Sequence, residues 1–279
     1  MDTRTVSMNG SNLWVGEQHG SGTPIVLMHG FPDNHHLYDR LVPLLSGRRV
    51  VAFDFLGWGD SDKPVDHAYT AEAQTQELDR VVNELGLDRV ILVAHDASGP
   101  PAVDWALAHP DRVERLVLLN TYYPPMRGLR PPEAIWLFST PGVRWIARWA
   151  ARLFDNWLFR RMYFWQVGRF FRDERVRDDF VPLLYEQFAR SPSAQPAFFS
   201  LNEDLRRTVR RGATRADDMR RFDRPVRVVF GREDPYLNAE IARQFARLFP
   251  RAELALVDGA RHFVQLDQPE KVAAEIVRD

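Results

Sequence analysis

The sequence predicts an α/β fold: a mostly parallel eight-stranded sheet flanked by helices, with one inserted helical segment. Three observations carry this. Short apolar runs alternate with amphipathic stretches in both the first and last parts of the chain, as strands do with crossover helices. Several of those runs are almost wholly apolar, the pattern of strands buried on both faces. Between residues 122 and 218 the rhythm stops, and tryptophan and arginine replace the strand pattern.

Taken in order, residues 3–8 and 11–18 read as a hairpin turning at Asn9-Gly10, a strong turn dipeptide. Pro24 to His29 is a short apolar strand ending at Gly30, and Arg49 to Asp54 is another, closing on Gly57 and Gly59. Leu78, Val81, Val82 and Leu85 recur at helical spacing within 70–85, and Gly86 stands where that helix should stop. Arg89 to His95 is the next buried strand, with a helix over 97–109, and Val113 to Asn120 follows it. Val226 to Gly231 and Leu254 to Val257 complete the strands, each leading into a helix, near 238–248 and 269–278.

The break divides the chain into a core domain, 1–121 with 219–279, and a helical cap, 122–218. In the cap, Trp145, Trp149, Leu153 and Trp157 recur every four residues, with Arg144, Arg148 and Arg152 on a neighbouring face. That spacing is an amphipathic helix. Its aromatic stripe can pack on the core, line an apolar pocket through Trp149 and Trp157, or rest on a membrane surface. Packing with some pocket lining is the expectation, and membrane contact is not.

Composition sets further limits. A net charge of −1 argues against nucleic-acid binding. The absence of cysteine excludes disulfides, zinc–thiolate sites and a thiol nucleophile. Met1-Asp2-Thr3-Arg4 is not followed by an apolar signal region, and no run approaches the ~18 apolar residues of a membrane span. A cytoplasmic location is the expectation.

The chemistry concentrates in Ile91-Leu92-Val93-Ala94-His95-Asp96-Ala97-Ser98-Gly99-Pro100, where an apolar strand runs straight into a helix. A nucleophile on such a turn sits on a strained backbone and tolerates little bulk two positions to either side. Centred on Asp96 those positions are Ala94 and Ser98, both small; centred on Ser98 they are Asp96 and Pro100. Asp96 therefore takes the nucleophile's place, although an Asp there could simply cap the next helix. Two later loops offer partners: Asp234 just beyond Phe230-Gly231, and His262 just beyond Val257. Nucleophile, acid, histidine is a known triad order, and strand ends on one edge of a parallel sheet bring such loops together.

These residues resemble the α/β-hydrolase family, and within it the aspartate-nucleophile branch of epoxide hydrolases and haloalkane dehalogenases. His29-Gly30-Phe31-Pro32 resembles that branch's oxyanion loop, and Asp54 to Pro64 its glycine-rich loop. His262-Phe263-Val264-Gln265 and Gln268-Pro269-Glu270 resemble its histidine loop and last helix. The resemblance implies a nucleophilic Asp96, a general base His262, an orienting Asp234, and an oxyanion hole from the backbone N–H groups of Phe31 and Ala97. It implies a small apolar electrophile as substrate and neither metal nor organic cofactor. His35-His36, an adjacent pair with no third ligand nearby, is a poor metal site.

Departures from the family pattern bear on the electrophile. Ala97 stands where haloalkane dehalogenases carry a tryptophan whose indole N–H binds halide, and Phe31 where they commonly carry Asn or Glu. Ser98, Gly99 and Pro100 replace the arginines of fluoroacetate dehalogenases, and Arg261 a glycine before the histidine. An epoxide is therefore expected ahead of an alkyl halide, with Tyr163 and Tyr185 as donors to the epoxide oxygen and Tyr122 and Tyr123 behind them. A serine esterase using Ser98 and a non-catalytic small-molecule binder remain the other readings.

Overall fold

The computed structural model describes residues 1–143, 145 and 155–278. Eight strands form one sheet: β1 (Asp2–Met8), β2 (Ser11–Gln18), β3 (Ser21–Met28), β4 (Arg48–Phe53), β5 (Val90–Asp96), β6 (Val113–Thr121), β7 (Val226–Gly231) and β8 (Ala252–Val257). Their spatial order is β1-β2-β4-β3-β5-β6-β7-β8. β2 pairs antiparallel with β1 and β4, and every other pairing is parallel. The hairpin turns at Asn9 and Gly10, with φ of 51° and 82°, the two left-handed positions of the two-residue turn that suits strand twist.

Helices flank the sheet. α1 (Ala71–Glu84) starts at Thr70, whose side chain accepts the Ala73 N–H, and ends ahead of Gly86, at φ 59°. α2 (Gly99–Ala108) follows β5 and packs on α1. Between β6 and β7, α3 (Glu133–Ser139), α4 (Asp155–Gly168), α5 (Glu174–Ala189), α6 (Gln195–Thr214) and α7 (Ala216–Arg221) occur, with no strand among the described residues. The helical stretch thus runs on to Arg221, past the expected boundary at 218. α8 (Ala239–Ala246), the short α9 (Val264–Asp267) and α10 (Pro269–Val277) complete the chain.

Strands β5 and β7 are buried along nearly their whole length, so their backbone polar groups must pair within the sheet. That fixes the C-terminal ends of β3, β5, β6 and β7 in one row. The loops leaving those ends carry Phe31, Asp96, Tyr122 and Asp234.

Candidate active site

Asp96 closes β5 with φ at 49°, a left-handed conformation that costs a non-glycine residue on the order of 1–3 kcal/mol. The neighbours make that turn fit. A Cβ on Gly30 would lie 2.8 Å from the Asp96 Cβ, and one on Gly99 would collide with Thr121. Ala94 is fully buried, and the buried Ser98 hydroxyl bonds the carbonyls of Met28 and His95, at 2.9 and 2.8 Å. Ser98 is thus spent on the turn and does not line the cavity, which speaks against a serine nucleophile.

The Asp96 carboxylate is held from two sides. The Phe31 N–H donates to Oδ2 at 3.2 Å, and the Ala97 N–H also stabilises the charge. On the other side Oδ1 lies 3.8 Å from His262 Nε2. Burial raises the Asp96 pKa above the usual carboxylate range, and His262 with these two amides opposes the rise.

His262 Nδ1 donates to Asp234 Oδ2 at 2.8 Å, which leaves Nε2 facing Asp96. Asp234 is buried yet saturated with donors: Asn120 Nδ2 at 2.8 Å and the N–H groups of Tyr236 and Leu237 at 2.8 and 3.1 Å. Burial pushes its pKa up, but His262 and these donors outweigh burial and hold it below the usual range. Burial likewise pulls the His262 pKa down, but the charges of Asp234 and Asp96 outweigh it, so the imidazole is pushed up to about 9.

Supporting residues explain several motif positions. His29 Nδ1 donates to the Gly30 carbonyl and Nε2 accepts the Phe55 N–H, latching the loop of Phe31 to the glycine-rich loop. Asp54 anchors that second loop by accepting from His35 and from the Asp60 N–H. His35, Asp54 and Asp60 bring their donor atoms close together, but Asp60 is ion-paired with Arg190 and the group lies outside the cavity. Arg261 sends its guanidinium to the Phe171 carbonyl at 3.2 Å, so it does not crowd the imidazole.

A cavity of about 420 Å³ opens beside Asp96, within the range of small-molecule sites. Asp96, Ala97, Phe31 and His262 form one end, and α3, α4 and α6 supply most of its apolar walls. Tyr163 lines it, its hydroxyl donating to the Pro32 carbonyl at 3.3 Å.

The other expected substrate contacts fall elsewhere. Tyr185 stacks edge-on behind Tyr163, with centroids 5.2 Å apart, and is not in the lining. Trp157 is 63% exposed because the spacing that defines a helix does not say which face turns inward. The inner face of α4 is instead Phe159, Met162, Tyr163, Gln166 and Val167. Trp149 lies outside the described residues. Tyr123 is buried and bonds Asp104, away from the cavity, whereas Tyr122 lines it.

Sequence reasoning missed four residues here. Asn120, at φ 29°, ties Asp234 to the Gly231 N–H, and its signal was an amide at the end of an apolar strand. Asn202 lines the cavity with a buried Oδ1 that has no partner among the described residues. Asp33 and His95 are buried behind Asp96, with Asp33 Oδ2 and His95 Nδ1 4.0 Å apart. Burial, then Asp96, raises the Asp33 pKa well above normal, and burial lowers that of His95. Nothing in its local sequence distinguishes Asp33 from a surface residue, and the buried strand that ends at His95 does not show what its imidazole faces.

Comparison with known proteins agrees with this architecture. Residues 23–269 match the family model described as alpha/beta hydrolase fold. Haloalkane dehalogenase 2 of Mycobacterium tuberculosis is 27% identical over 262 residues, covering 92% of this chain and 88% of that protein. A cis-3-alkyl-4-alkyloxetan-2-one decarboxylase of Xanthomonas campestris is 28% identical over 302 residues, covering 94% and 90%. An alpha/beta hydrolase fold protein from Burkholderia ambifaria superposes with a TM-score of 0.82 at 24% identity, covering 99% and 97%. The chain belongs to the alpha/beta hydrolase fold family, as a hydrolase of that fold.

Proposed function

We propose that the protein hydrolyses a small apolar electrophile through a covalent ester on Asp96, with an epoxide as the reacting group. The observation that carries the reading is the state of the Asp96 carboxylate. Oδ2 already accepts the Phe31 N–H, the Ala97 N–H also bonds the carboxylate, and Oδ1 lies 3.8 Å from His262 Nε2 beside the cavity. Oδ1 attacks an epoxide carbon, the C–O bond breaks, and the ring oxygen takes a proton from a tyrosine hydroxyl. Tyr122 and Tyr163 line the cavity and fit that role; no hydrogen bond from the Tyr122 hydroxyl to a described residue competes with it.

Esterification removes the Asp96 charge, one of those that raise the His262 pKa, so the imidazole becomes a better base at that point. His262 Nε2 then takes a proton from water as the oxygen attacks the ester carbonyl carbon. The negative charge develops on Oδ2, which the Phe31 amide already meets, with the Ala97 amide also bonding the carboxyl group. Collapse expels the alkoxide, which takes the proton held by His262 to give the diol, and the carboxylic acid left on Asp96 returns its proton to the tyrosinate, restoring both groups.

The haloalkane dehalogenase among the relatives favours a halide as the second reading. Ala97 offers halide no side-chain donor, and Trp136, half exposed, is the one tryptophan of the lining among the described residues. Both points keep the epoxide ahead. His262→Gln, incubated with panels of epoxides and haloalkanes, should accumulate an adduct on the Asp96 peptide, and its mass identifies the electrophile. No adduct with any electrophile, together with ester turnover that survives Asp96→Ala, would refute the proposal.

A further inference from the structure

The cavity is apolar along most of its length, but its rim is not. Arg130, Arg206 and Arg210 line it and are exposed, which places them at its solvent rim, whereas Asp96 and His262 are shielded. Among the described residues, Asp96 is the single acid in that lining.

Helix α6 carries four arginines on two faces. Arg207 and Arg211 turn to the core: Arg207 meets Glu72 at 3.0 Å, and Arg211 meets Glu72 and Asp104, both at 2.6 Å. Arg206 and Arg210, each one residue earlier, share the cavity side at i,i+4 spacing. Arg206 reaches the Thr140 hydroxyl at 3.4 Å, and neither it nor Arg210 is ion-paired with an acid among the described residues. Arg130 has none either. Among the described residues, the arginines of one helix thus have acid partners on one face and lack them on the face that meets the cavity.

We infer that Arg130, Arg206 and Arg210 bind an oxyanion head group, carboxylate or phosphate, at the far end of an elongated apolar substrate. A guanidinium stays charged and offers a planar fork that matches such oxygens. An anion cannot settle in the apolar middle of the cavity without losing its hydration, and Asp96 repels it at the closed end. The substrate therefore enters apolar end first. That orientation rests on the Asp96 reading above; the anion site itself does not.

Decanoate, decyl phosphate, decanamide and decan-1-ol share a chain and differ in head group. Titrated against the unmodified protein at low salt, followed by tryptophan fluorescence, an anionic ligand should bind about tenfold more tightly than the neutral pair. Whichever anion leads identifies the head group. The gap should narrow at ~0.5 M salt. It should vanish in the triple variant Arg130→Gln/Arg206→Gln/Arg210→Gln and persist in Arg207→Gln, on the other face. Arg206→Glu/Arg210→Glu should reverse the preference toward decylamine. Equal binding of all four ligands by the unmodified protein, or an anion preference that survives the triple variant, overturns the inference. Because these are binding measurements, they can fail while the His262→Gln adduct forms, and the reverse, so the two readings are tested apart.

Discussion

As the proposed nucleophile, Asp96 has to be buried enough to be reactive and charged enough to attack. Burial raises its pKa, while the Phe31 and Ala97 amides and His262 pull it back. Formation of the ester should therefore fall as pH drops through the raised Asp96 pKa, and ester hydrolysis should rise with pH as His262 loses its proton; single-turnover rates for each step check both. Asp234→Asn disturbs the hydrogen bond that sets the His262 tautomer. It should slow ester hydrolysis by roughly two to four orders of magnitude and let adduct accumulate, as read by intact mass. The imidazole also links pH to stability. Its folded pKa of about 9 exceeds the ordinary histidine value of 6.5, so its contribution is full below 6.5 and lost as pH rises through about 9. His262→Gln should flatten the change of Tm across that window.

At the scale of elements, the strands were the most legible part of the chain. β5, β6 and β7 are apolar runs bounded by turn or capping residues, and a strand buried on both faces has little other sequence to choose from. The elbow was legible for the same reason, since the small residues at 94 and 98 are demanded by the turn. The helical segment was less so. The one helical periodicity read there, Trp145 to Trp157, lies largely outside the described residues, and it did not give the inward face, because tryptophan and arginine pack well on a solvent face, as Arg161 does over Trp157 at 5.0 Å. Trp157→Ala should accordingly change stability by less than ~0.5 kcal/mol. Phe159→Ala, on the buried face of α4, should cost about 3 kcal/mol. Denaturant midpoints of the two variants test that division.

At the scale of the whole molecule, the helical segment and the sheet share one site, and polar contacts such as Arg190–Asp60, Arg211–Asp104 and those of Asp267 join them. Asp267, at the end of α9, accepts the Arg261 N–H beside His262 and the N–H groups of Arg172 and Asp173 between α4 and α5. Asp267→Ala leaves those donors unpaired and should cost about 2–3 kcal/mol. Hydrogen exchange should then rise both at the histidine loop and at 172–173, with β5 and β6 unaffected. No sequence pattern marks Asp267 for this task, because its three donors come from two distant segments. The same holds for Asp33, which the fold sets 4.0 Å from His95.

The ester on Asp96 is tested most directly by one turnover, with enzyme in excess over a reactive epoxide, in water labelled with the heavy oxygen isotope. If Asp96 attacks carbon and water then attacks the ester carbonyl, the first diol carries unlabelled oxygen from the enzyme and the Asp96 peptide gains the label. Label in the diol and none in Asp96 would mean that water attacks the substrate directly, and would contradict the account.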